Sequence, residues 1–98
     1  MATYTVLANF TDQGIRNVKE TTRRAEAVEA AAGKMGVTVK SIQWTLGSYD
    51  LVCQFEAPDD QTITAFGLAI GVQGNVRTQT LRTFSRDEMS AILARVPG

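Results

Sequence analysis

Two β-type runs, Ser41-Ile42-Gln43-Trp44 and Leu51-Val52-Cys53-Gln54-Phe55, meet across a Gly47-Ser48-Tyr49-Asp50 corner. This hairpin constrains the fold more than any other stretch. Its second run is nearly continuous in apolar residues, which suits a central strand covered on both faces. The rest of the chain must therefore pair with the hairpin and cover it.

Upstream, Thr3 to Phe10 alternates, with Tyr4, Val6, Ala8 and Phe10 on one side and Thr5, Leu7 and Asn9 on the other, so it reads as a strand. Thr11-Asp12-Gln13-Gly14 supplies a turn, with Asp12 the expected cap of a helical segment carrying Ile15 and Val18. Thr21-Thr22 predicts a break, because adjacent β-branched hydroxyl residues favour caps and turns over a helix interior. A second helix follows from about Arg23 to Lys34, with Ala25, Val28, Ala32 and Met35 as its apolar stripe and Gly33 and Gly36 as stops. In the strand from Val37 to Leu46, strict alternation places Ile42, Trp44 and Leu46 on one face and Val37 and Val39 on the other.

Downstream of the hairpin, Asp59 is positioned to cap a helix bearing Ile63, Phe66 and Ile70, in which Gly67 and Gly71 are expected to permit close approach to the sheet. Asn75 to Phe84 is a more polar strand of the edge type. Ser85-Arg86-Asp87-Glu88 is a capping box opening a short helix with Met89, Ile92 and Leu93 on its apolar side.

The order strand, helix, strand, strand, helix, strand is the split βαβ arrangement of an α+β, ferredoxin-like fold, here with an extra C-terminal helix. It predicts one domain over residues 1–98, built on a four-stranded antiparallel sheet with helices on one face. Leu7, one side of the third strand, and either Trp44 or Val39 should then look away from the helices. A second copy packed sheet on sheet would cover them, a homodimer or higher oligomer of the dimeric α+β barrel kind.

Composition narrows the function classes. Ten basic and ten acidic residues leave no net charge, and Arg23-Arg24 is the only adjacent basic pair, so no nucleic-acid partner is expected. No apolar run approaches the length that spans a bilayer and no signal peptide is present, which predicts a cytoplasmic protein with no membrane partner. The chain contains no histidine, which removes Ser-His and Cys-His nucleophile pairs and most transition-metal ligand sets. Neither a metal nor a cofactor is expected. Cys53, the one cysteine, reads as a small buried hydrophobe.

Three blocks carry a family resemblance: Leu46-Gly47-Ser48-Tyr49-Asp50, the opening from Tyr4 to Asn17, and Gly74-Asn75-Val76-Arg77-Thr78. Together they resemble the GYD domain family, named for its Gly-x-Tyr-Asp signature. The resemblance implies a ferredoxin-like fold of the dimeric α+β barrel type and does not imply an activity. Similar chains often carry Ser-Pro where this one has Thr21-Thr22.

The polar residues worth following are Asn9, Trp44, Tyr49, Asp50, Arg77 and Gln79. Tyr49 and Asp50 could act as acid and base or hold a ligand, but turn chemistry accounts for the pair without either role. Trp44 suits an interface or a pocket floor. Asn9, Arg77 and Gln79 would line a polar space between two sheets. The reading favoured is a non-enzymatic oligomeric module that binds a small molecule or a protein. The alternative is a cofactor-independent oxygenase or isomerase, as hosted by other dimeric α+β barrels, with Tyr49, Asp50 and Arg77 as working groups.

Overall fold

The structure, a computed structural model, describes the chain from Met1 to Gly98. In order it contains β1 (Ala2–Phe10), α1 (Asp12–Arg16), a 3-10 turn (Val18–Glu20), α2 (Thr21–Lys34), β2 (Thr38–Trp44), β3 (Leu51–Ala57), α3 (Asp60–Gly71), β4 (Val76–Thr83) and α4 (Arg86–Leu93). The strands form one antiparallel sheet in the order β2-β3-β1-β4. The fold is α+β and ferredoxin-like, with β1 and β3 in the middle as their apolar content requires.

Period-two alternation sends Tyr4, Val6 and Ala8 of β1 and Leu51, Cys53, Phe55 and Ala57 of β3 to the helix-covered face, where all are buried. Ala32 of α2 and Ile63 and Phe66 of α3 close over them, and Phe66 meets Phe55 edge to face at 5.3 Å between ring centres. The fully buried core is only eleven side chains, so each contributes a large share of the stability.

Local chemistry fixes the element ends. Thr11, rather than Asp12, caps α1 by accepting from the Gly14 amide, and Asp12 falls in the first turn. The break near Thr21-Thr22 lies just before that pair, in the 3-10 turn, and Thr21 opens α2. Helix α2 runs through Gly33, and the chain turns at Gly36, where φ is 76°. Asp59 caps α3 by accepting from the Thr62 amide at 2.8 Å, and Ser85 and Glu88 form the reciprocal box at the start of α4.

Two further expectations need correction. The β2–β3 register slips at Lys40, between Val39 and Ser41, so Val39 pairs with Phe55 and Ile42 with Cys53. The extra residue resets the alternation, and Val39, Ile42 and Trp44 all lie on the helix-covered side. Neither Val39 nor Trp44 looks away from the helices, and Leu46 lies outside the strand, fully exposed. Nor do Gly67 and Gly71 mark close packing, since a β-carbon added at either would meet nothing within 4 Å. That role belongs to Gly14, whose added β-carbon would sit 2.0 Å from the Asn75 carbonyl oxygen.

The opposite face of the sheet carries no helix. It presents Thr3, Thr5, Leu7 and Asn9 of β1, Val52, Gln54 and Glu56 of β3, and Arg77, Gln79 and Leu81 of β4. Helix α4 buries none of its residues, and Phe84, Met89, Leu93 and Val96 are exposed along this C-terminal arm. The radius of gyration, 15.0 Å against about 13 Å for a compact domain of this length, reflects an elongated shape.

Candidate functional site

The hairpin corner is tied to the end of β1 through Asp50. Its amide donates to the Ala8 carbonyl at 2.9 Å, and its carboxylate accepts from the Phe10 amide at 2.9 Å. Its own carbonyl accepts from the Thr45 amide, and the Thr45 hydroxyl donates to the Tyr49 carbonyl. Gly47, at φ 131°, makes the reversal that brings these groups together. The Gly-Ser-Tyr-Asp corner is thus a backbone clamp: it extends the β1–β3 pairing past the last regular strand residue.

The other polar residues divide by face. Asn9 and Arg77 are direct cross-strand partners on the helix-free side, next to Gln79, which pairs with Leu7. The Tyr49 hydroxyl donates to Gln79 Oε1 at 3.3 Å, so Asn9, Tyr49, Arg77 and Gln79 cluster at one end of that face. Arg77 has no carboxylate within 4.0 Å. Around this cluster, Leu7 and Val52 are half-buried and Leu81 is exposed, a small apolar centre with a polar rim. Arg77 also borders a shallow hollow between α3 and β4, lined by Thr64, Gly67, Leu68 and Gly71. Trp44 stands apart, on the other side, where its indole N–H donates to the Thr21 hydroxyl at 3.0 Å and ties the edge strand to the start of α2.

A mostly apolar hollow lies on the helix-covered side, between α2, α3 and the sheet, with a volume of about 420 Å³. Fifteen of its twenty lining residues are hydrophobic, among them Val6 and Ala8 in the floor and Val28 and Ile70 in the walls. None of the six residues singled out from the sequence lines it. Burial pushes the Cys53 thiol, in its floor, up to about 11, which keeps it protonated at neutral pH and a poor nucleophile. Its sequence signal was the small side chains: Ala25, Ala27 and Ala31 of α2 and Ala69 of α3 all line it.

At the far end of the sheet, the Tyr4 hydroxyl donates to Asp60 Oδ1 at 2.5 Å. That bond, with burial, raises the phenol above its ordinary value. The Arg82 guanidinium lies 5.7 Å from the Tyr4 ring centre and 4.5 Å from that of Phe84, and pairs with Glu88 at 3.4 Å. Hydrogen bonding to the Ser85 amide, helped by Arg82, holds Glu88 below the usual carboxylate range. These contacts set the direction in which α4 leaves the sheet.

No three metal-ligating side chains converge anywhere, and no helix is long and apolar enough to cross a membrane. The clamp and the strands it joins coincide with a family model, the GYD domain, which matches residues 4–93. The chain belongs to the GYD domain family. A relative from Thermus thermophilus, the "Glutamine synthetase and cystathionine beta-lyase binding protein", is 33% identical over 94 residues, covering 95% of this chain and 99% of its own. In this GYD domain the signature Tyr49-Asp50 pair stands at the corner, with Asp50 bonded to the main chain and Tyr49 leaning over the helix-free face.

Proposed function

We propose that this GYD domain is a non-enzymatic, homo-oligomeric module that binds other proteins, with metabolic enzymes of the kind named for its relative as partners. The observation that carries the reading is the helix-free face: a small apolar centre of Leu7, Val52 and Leu81, rimmed by polar side chains and covered by nothing within one chain. Interfaces have this anatomy of apolar centre and polar rim. The sheet face of a second copy is its natural cover, a self-complementary contact in a two-fold pair. The apolar side of α4 needs a cover as well, because an eight-residue helix has little stability of its own in water. Enzyme partners then bind the surfaces that self-association leaves open. We place this work in the cytoplasm, where a lone free thiol such as Cys53 stays reduced.

The reading has support from a relative similar over nearly its whole length and named for binding two enzymes. The catalytic alternative draws less, since the Asp50 carboxylate is committed to the Phe10 amide and Tyr49 to Gln79. The test is titration of the purified chain against glutamine synthetase and cystathionine β-lyase from its own host, with light scattering at micromolar concentration. Saturable binding to at least one enzyme and a mass of twice 10.6 kDa or more are expected. Retention of neither enzyme would overturn the partner reading, and a monomer mass would overturn self-association.

A further inference from the structure

We propose that the hollow between α2, α3 and the sheet is a binding site for an amphiphilic carboxylate, with the apolar tail over Val6, Val28, Cys53 and Ile70 and the carboxylate at Arg24. Three observations converge on this occupant. At about 420 Å³ the hollow has the size of a small-molecule pocket. The hollow opens to solvent on one side while its lining is mostly apolar, so the apolar body of a ligand gains by displacing water from it. Helices α2 and α3 lie over opposite ends of the sheet, α2 against β2 and α3 against β3 and β4, so the space between them is built into the topology.

Charge selects the class of ligand. Arg24 is the one ionisable side chain besides Cys53 in the lining, and no carboxylate lies within 4.0 Å of it. Two of its donors are used, by the Asn17 carbonyl at 2.8 Å and the Gly14 carbonyl at 3.3 Å, and these contacts hold the guanidinium at the α1 end of the hollow. Gln73 and Asn75 line the same end, bridged to α1 by Gln13. The site therefore has one polar end and one apolar body, and a carboxylate is the group an unpaired, half-buried guanidinium recognises best. This site lies on the opposite side of the sheet from the proposed protein interface and stands independently of it.

Calorimetric titration with decanoate, 2-naphthoate and 1-decanol tests it. Saturable binding of one decanoate or naphthoate per chain is expected, with the straight and flat tails telling which shape the hollow prefers. Ala69→Phe should abolish binding by filling the space, with Val28→Phe as the second variant should the first not fold. Arg24→Gln should weaken the carboxylates about tenfold, as loss of roughly 1.4 kcal/mol implies, and leave 1-decanol unchanged. The proposal is overturned if neither carboxylate binds, if the filled variants bind as well as the parent, or if Arg24→Gln weakens alcohol and acid alike.

Discussion

Replacing Asp50 by alanine separates a structural role for the signature from a chemical one. The substitution removes a 2.9 Å bond from the Phe10 amide and leaves that donor half-buried at the end of β1. A hydrogen bond to a charged group contributes about 1.5–3 kcal/mol, and partial exposure places this one near the lower end, about 1–2 kcal/mol. For a domain of this length such a loss lowers Tm by roughly 4–16 °C. Asp50→Asn keeps an oxygen acceptor without the charge, so its cost should be about half as large. Urea unfolding of the three proteins, at equal slope, measures the ranking directly. Should Asp50→Ala unfold at the same urea concentration as the parent yet lose enzyme partners or ligand, the clamp would be incidental and the carboxylate functional.

Other consequences are as direct. Gly14→Ala forces α1 off the start of β4, where Thr11 and Gln13 bond to Gly74, Gln73 and Asn75, and should cost about 2–4 kcal/mol in urea unfolding. Gly33→Ala, with open space around it inside α2, should instead stabilise by up to about 1 kcal/mol. Because burial raises Cys53 from 9.0 to about 11, the unfolded thiol ionises first, and stability that is whole below pH 9 should decline as pH rises toward 11. Cys53→Ala should remove that part of the alkaline decline, as seen in denaturant midpoints across the window. Truncation after Phe84 deletes α4, none of whose residues is fully buried and whose side-chain tie to the sheet is the exposed Arg82–Glu88 pair, so light scattering should show weaker self-association while the Tm of the remaining monomer changes little.

The sheet order, the helix-covered face and the starts of α3 and α4 were legible because local chemistry and tertiary packing agree there. Ser85 and Glu88 announce a capping box, and Leu51, Cys53 and Phe55 alternate without interruption. The side on which Trp44 lies was not legible, since period-two counting carries an error through any inserted residue, and nothing in Val39-Lys40-Ser41 marks the bulge. Gly67 and Gly71 misled for a related reason: a glycine in a helix shows that space is available without showing what occupies it. Of the six polar residues, four gather on the helix-free face: Asn9, Tyr49, Arg77 and Gln79. The hollow escaped notice because it is made from what the alanines omit, and Arg24 because its value depends on having no acid nearby.

The irregularity at Lys40 also bears on how copies can add up. An edge strand with regular, open hydrogen-bonding groups invites another edge, and repeated head-to-tail addition has no natural end. Here β2 is short, largely polar, and interrupted by an extra residue whose ammonium pairs with Glu56 at 3.6 Å. That edge is a poor template for continuation. Growth of the sheet through this edge into filaments is discouraged, whereas the proposed pairing of two copies through the broad face would close after a single step.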